Sequence, residues 1–275
     1  MENKLGPIAV FDSGYGGLTV LDKLRKRLPQ YDFLYLGDNA RTPYGTRSFD
    51  VVYEYTLEAV KKLFSMGVHL IILACNTASA KALRTIQQND LPKIDPTRRV
   101  LGVIRPSVEV VSQYTLTHKI GVLGTVGTVQ SDSYSIELKK QSKKLEVFQE
   151  ACPMWVPLVE NGEAESAGAD YFIRKNVNNL LKQDADIDTV ILGCTHYPLL
   201  LDKIKQFLPG SCTILAQGDI VADSLADYLK RHPEMEAKCS KNGQVSFYTT
   251  ENADKFKQTA GYFFKEDIEV KHIHL

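Results

Sequence analysis

The chain has 275 residues, 44% of them hydrophobic and 24% charged, the make-up of a soluble protein with apolar material for one large domain or two modest ones. Its 33 basic residues balance 33 acidic ones, so no net positive field draws it to nucleic acid or to an anionic membrane. The opening MENKLGPIAV lacks the apolar stretch of a signal peptide, and no run approaches the ~20 apolar residues that span a bilayer, which predicts a cytoplasmic address.

Short β-branched runs alternate with longer segments of helical period, the pattern of an α/β protein with a mainly parallel sheet. PIAVFDS (7–13) reads as the first strand. Its helix follows in GGLTVLDKLRKRLP, with Leu18, Leu21, Leu24 and Leu28 on one face and Pro29 as the stop. YDFLYLGD (31–38) is the second strand. Ser48 is a good N-cap for a long helix carrying Val52, Tyr55, Ala59, Val60 and Leu63 along one stripe and ending at Gly67. VHLIILAC (68–75) is the third strand. RRVLGVIRP, THKIGVLGT, LEVFQEA and IDTVILGC read as a further strand series. LPKIDPTRR (91–99), with two prolines and few apolar residues, reads as a crossing between domains, and LPGSC (208–212) as a second. CTILAQG and QVSFYTT then return to complete the first domain, KKQSKK (139–144) is a solvated helix face, and KHIHL is a solvated tail.

An internal echo predicts two related lobes. IAVFDSGYGG (8–17) lines up with IGVLGTVGTV (120–129), and VHLIILACNTA (68–78) with IDTVILGCTHY (187–197). In each half one strand ends in a small hydroxylic residue, Ser13 or Thr125, and a later one in a cysteine, Cys75 or Cys194. The expected fold is α/β with two similar domains, each a mainly parallel sheet flanked by helices, and the site in the cleft between them. The expected boundaries are 1–97 plus 211–275 for the first domain and 98–210 for the second.

Ligands of open parallel sheets bind outside the carboxyl ends of the strands. That rule gathers Asp12–Ser13, Asp38, Cys75–Asn76–Thr77, Gly124–Thr125 and Cys194–Thr195–His196. The five cysteines form no C-x-x-C pair, and an odd count in a chain of this kind argues against a disulfide framework; no metal-ligand spacing stands out. Cys152, Cys212 and Cys239 read as inert core residues. Cys75 and Cys194 do not, because facing lobes bring them to one cleft from opposite sides. Two thiols opposed across one carbon suit removal of a proton from one face and delivery to the other, which inverts a stereocentre. A thiol titrates near enough to neutrality to serve as either acid or base. His196 is placed to tune Cys194, and Asp12 to assist Cys75 or to hold a substrate ammonium. Ser13, Asn76, Thr77, Thr125 and Thr195 are short hydrogen-bonders suited to holding carboxylates. GYGG (14–17) is not a dinucleotide fingerprint, since Thr19 stands where a third glycine is needed and no Walker lysine follows. It reads as a tight strand-to-helix turn, and TPYGTRS (42–48) as a loop that brings Tyr44 and Gly45 to the cleft.

In these stretches the sequence resembles the glutamate racemases, cofactor-independent bacterial enzymes that make D-glutamate for peptidoglycan. The matching motifs are FDSGYGGLTV, GDNARTPYG, ACNTAS, GVLGTVGTV, CPMWVPLVENGE and GCTHYPLL, in the family's order. The resemblance implies Cys75 and Cys194 as the two catalytic acid/bases, with Asp12 and His196 supporting them. It implies substrate contacts from Asp12, Ser13, Tyr44, Gly45, Asn76, Thr77, Thr195 and His196, beside the Thr125 read from its strand end, and Asp38 and Glu160 as supporting acids. It further implies no cofactor, L- or D-glutamate as the small-molecule partner, and a homodimer; the balanced charge and the lack of metal-ligand spacing predict no nucleic-acid or membrane partner and no metal. Two segments depart from the family pattern. Ser107 stands in GVIRPS where relatives more often carry glycine, and AQGDIVADSL (216–225) differs from a common acidic version. An aspartate or related amino-acid racemase, which differs by one methylene in the pocket, and a non-catalytic two-lobed amino-acid-binding protein are the alternatives.

Overall fold

The computed structural model describes residues 5–264 and 267–275; the first four residues of the opening stretch lie outside the described residues. Among the described residues ten strands occur: β1 (Ile8–Asp12), β2 (Phe33–Gly37), β3 (Leu70–Leu73), β4 (Arg99–Gly102), β5 (Lys119–Gly124), β6 (Glu146–Ala151), β7 (Thr189–Gly193), β8 (Thr213–Leu215), β9 (Val245–Thr249) and β10 (Val270–His272). They form two sheets of order β10-β9-β2-β1-β3-β4 and β6-β5-β7-β8, and every ladder is parallel. Strands β1, β2, β3 and β7 are buried along their whole length, which is why they read as continuous apolar runs rather than alternating ones.

The run β2-β1-β3-β4 has the same order and sense as β6-β5-β7-β8. The internal echo therefore corresponds to equivalent strands, β1 with β5 and β3 with β7. In each sheet the strand order reverses at the first strand of the series, and the crevice opens at that reversal. Ser13 follows β1 and Thr125 follows β5; Cys75 lies just past β3 and Cys194 just past β7.

Both crossings lie a few residues beyond the expected points. Residue 98 was expected to open the second domain, but β4 pairs with β3 from Leu70↔Arg99 to Leu73↔Gly102 and so belongs to the first sheet. The prolines misled because Pro92 sits in the first turn of the helix Leu91–Ile94, where a missing N–H costs nothing. The chain crosses after Gly102 into the helix Ile104–Val111. On the return, CTILAQG does form a strand, but β8 pairs with β7 and completes the second sheet rather than the first. The following helix, Gln217–Arg231, lies back against the helix Leu18–Arg27, with Arg27 Nε 2.6 Å from Asp223 and Lys23 Nζ 3.1 Å from Asp219. The tail expectation also fails: Val270–His272 pairs with β9, and Ile273 is buried in the core of the first sheet.

The helices Leu18–Arg27 and Phe49–Ser65 carry most of their predicted faces, with Tyr55 only half-buried. Leu18, Leu21, Leu24 and Leu28 are buried, as are Val52, Ala59, Val60 and Leu63. Ser48 Oγ accepts the Val51 N–H at 3.4 Å, and Gly67 takes the left-handed conformation (φ +90°) that ends the second helix. Trp155 is the largest fully buried side chain. Its ring meets Tyr197 at 4.7 Å, and its indole N–H donates to Asn176 Oδ1 at 3.1 Å. This contact ties the helix Trp155–Glu160 to the turn after β7.

Candidate active site

Where the two sheets face each other a cavity of ≈ 320 Å³ opens, the size of small-molecule sites. The first sheet supplies Ser13, the turn Thr42–Thr46 and Cys75–Thr77; the second supplies Thr125, Cys152, Glu160 and Cys194–His196. Each cysteine is 6% exposed. Each stands at the end of a buried strand, so its backbone is fixed by the sheet while its sulfur reaches the opening.

Cys75 also caps the helix Asn76–Lys81, with Sγ 3.4 Å from the Ala78 N–H and 3.4 Å from Ser13 Oγ. Burial pushes its thiol up to about 12, and the nearby Asp12 carboxylate adds to the rise; the Ser13 and Ala78 contacts offset part of it. Across the cavity Cys194 Sγ lies 3.8 Å from His196 Nδ1, and His196 Nε2 lies 2.8 Å from Glu160 Oε1. Burial alone would lower the His196 pKa, but the contacts with Cys194 and Glu160 outweigh it and raise it to about 10.

Asp12 does not reach the cavity wall. It is 1% exposed, accepts the Gly14 N–H at 2.9 Å and accepts Thr195 Oγ1 at 3.3 Å, so it joins the ends of β1 and β7 from behind. Burial raises its pKa, against the pull of His196. Asp38 is likewise fully buried behind the wall. It accepts Arg41 Nε at 2.7 Å, Thr250 Oγ1 at 2.8 Å and the Tyr44 hydroxyl, and so anchors the turn that carries Tyr44 and Gly45. Thr77 and Thr125 meet across the cleft with hydroxyls 2.9 Å apart. All the other predicted site residues line the cavity.

The sequence reading missed part of one wall. Cys152, expected as an inert core residue, lines the cavity with Pro153, Val156 and Pro157 while only 1% exposed. The motif CPMWVPLVENGE contained the signal, since it brackets Glu160, but the apolar residues in it look like any helix start.

Gly16 lies tight against the residues that follow β7. A Cβ there would lie 2.2 Å from Thr195 Oγ1 and 2.4 Å from His196 Nδ1. Gly16→Ala is therefore expected to displace His196 from Cys194 and to lower kcat/KM on the order of 10²-fold, the effect of an ångström-scale misplacement. Steady-state kinetics beside a melting curve checks this; unchanged kinetics would mean that the turn can yield without moving the imidazole.

The model of the Asp/Glu/hydantoin racemase family matches residues 18–224. A glutamate racemase from Ruegeria sp. is 38% identical over 95% of this chain and 97% of its own length. Among solved structures, a glutamate racemase isoform from Bacillus anthracis superposes with a TM-score of 0.89 at 35% identity, covering 98% of each chain. The chain belongs to the Asp/Glu/hydantoin racemase family, among its glutamate racemases. The glutamate racemase of Francisella tularensis, solved with D-glutamate, is similar at 29% identity with a TM-score of 0.87, covering 100% of this chain and 98% of its own. Within this racemase family the chain's α/β architecture of two facing sheets is the shared one.

Proposed function

We propose that this racemase interconverts L- and D-glutamate with Cys75 and Cys194 as the acid/base pair, supplying D-glutamate for peptidoglycan. One observation carries the reading: the two thiols end corresponding strands of two like sheets and enter one cavity from opposite sides. A substrate Cα between them meets a sulfur on each face. One cysteine, as thiolate, takes the α-proton; the other, as thiol, delivers a proton to the opposite face. Each turnover leaves the two sulfurs with exchanged protonation states, so the enzyme form that accepts L-glutamate is the one that D-glutamate regenerates.

The α-proton is far less acidic than a thiol, so the carbanion needs strong stabilisation. Asn76, Thr77 and Thr125 supply donors for the α-carboxylate, and the turn of Tyr44 and Gly45, held by Asp38, forms the far end for the side-chain carboxylate. Asp12 acts through Cys75. Its charge helps to keep that thiol protonated, and a substrate ammonium bound nearby would cancel the charge and ease ionisation once the site is filled. On the other side His196, held by Glu160, contacts Cys194 and can pass a proton to or from it, and Thr195 ties the two sides together. None of these steps calls for a metal or a cofactor. We place the domain boundaries after Gly102 and Leu215, and on the family resemblance assign the enzyme to the cytoplasm as a homodimer.

The test is polarimetry of the purified protein with L-glutamate and, separately, L-aspartate, without added cofactor. Loss of rotation with glutamate alone agrees. Turnover of aspartate in preference would move the assignment to the sister specificity, where one methylene is worth about 1–3 kcal/mol. Binding without inversion would replace the enzyme by a two-lobed binding protein.

A further inference from the structure

Behind the cavity, where the chain crosses between the sheets, lies a buried neutral network centred on Gln217. This residue is 4% exposed and opens the helix that follows β8. Its Nε2 lies 3.1 Å from the Val103 carbonyl, 2.9 Å from Ser107 Oγ and 2.7 Å from the Tyr134 hydroxyl. Its Oε1 accepts from Asn76 Nδ2 at 2.6 Å, and Asn76 Oδ1 accepts the Tyr134 hydroxyl at 2.7 Å. Three side chains thus close a ring, and Val103 and Gln217 bring both chain crossings into it.

The direction of every hydrogen bond in the ring follows from one atom. A backbone carbonyl can only accept, so Val103 requires the nitrogen of Gln217 on its side. The oxygen of Gln217 must then face Asn76, which in turn must present its nitrogen. The single hydroxyl hydrogen of Tyr134, which accepts from Gln217, goes to Asn76 Oδ1. Asn76 lines the cavity, and its oxygen is engaged by Tyr134. Its second N–H is not used by the ring, and this donor suits a carboxylate acceptor on the substrate.

We infer that Gln217 is a positioning residue for substrate: it relays the fixed polarity of the Val103 carbonyl to Asn76, so that this amide offers a donor to a substrate carboxylate. The inference rests on the proposed racemase reading. Without Gln217 the Asn76 amide is free to turn and offer its oxygen, which repels a carboxylate.

The experiment is a double-mutant cycle on the full chain with Gln217→Met, Asn76→Ala and the pair, measuring KM and kcat for L-glutamate together with Tm. Gln217→Met is expected to raise KM about tenfold, the worth of one hydrogen bond to a charged group. In the Asn76→Ala background the same change is expected to leave KM where Asn76→Ala alone put it. A KM that does not respond, with only Tm falling, overturns the inference, as do effects that multiply independently. Should Gln217→Met fail to fold, Tyr134→Phe replaces it in the cycle, removing the hydroxyl that occupies Asn76 Oδ1, with the same coupling expected and the same two outcomes overturning it. A wild-type protein that does not racemise glutamate sinks the functional reading; an active wild type with uncoupled residues sinks only this inference.

Discussion

Replacing either Cys75 or Cys194 by alanine is expected to lower racemisation on the order of 10⁴-fold while leaving the protein folded. Both sulfurs stand at strand ends on the cavity wall, so truncation removes a small group whose loss costs about 1 kcal/mol. Serine is expected to fare no better, because its hydroxyl is far too weak an acid to supply an oxyanion base at neutral pH. Cys212, half-buried and remote from the cavity, is the control, and Cys212→Ala is expected to turn over like wild type. Kinetics and circular dichroism of the three variants decide this. Near-normal turnover of either Cys75→Ala or Cys194→Ala would remove the two-thiol mechanism.

The second large effect concerns His196, which bridges Cys194 and Glu160. His196→Gln is expected to lower kcat/KM by about 10²–10⁴-fold, the contribution of a positioned acid/base group. The loss must be equal in both directions, because the equilibrium constant between enantiomers is one and fixes the ratio of the two kcat/KM values. The same substitution carries a pH signature. The pKa of His196 rises from its ordinary 6.5 to about 10 in the folded protein. A raised pKa stabilises the fold fully below the unfolded value, and that contribution fades as pH climbs through the folded one. The Tm difference between wild type and His196→Gln is therefore expected to be largest below about pH 6.5 and to shrink toward pH 10. A difference that grows with pH would show that the imidazole is held neutral.

How much of this was legible before the fold was known differs by element. Cys75 and Cys194 stood out because a thiol at the end of an apolar run, followed by polar residues, is unlike core, and because the pattern occurs twice. The strands and the faces of the two long helices followed from periodicity alone. The crossings did not, since β4 and β8 are short and read the same whichever sheet they join; only the ladders β3–β4 and β7–β8 decide. The C-terminal strand was hidden because a three-residue edge strand with exposed Lys271 and His272 looks like a solvated tail. Asp12 and Asp38 were rightly placed at strand ends, yet whether a carboxylate faces the cavity or lies behind it depends on Thr195 and Thr250, remote in sequence. Ser107 and the segment 216–225 stood out as two separate departures from the family pattern. That they touch, through Gln217 and Ser107 at 2.9 Å, is a product of the tertiary crossing.

The central claim, two thiols acting on opposite faces of one carbon, is tested most directly by following L-glutamate turnover in D₂O at low conversion. The incoming hydrogen is delivered by a thiol already exchanged with solvent, while the departing one stays on the other sulfur beside the face it left. Product D-glutamate is expected to carry deuterium at Cα from the first turnover, with the remaining L-glutamate still protiated, and the mirror result is expected from D-glutamate. Mass or NMR analysis of both recovered enantiomers reads this out, and substantial early deuterium in the starting enantiomer would contradict the account.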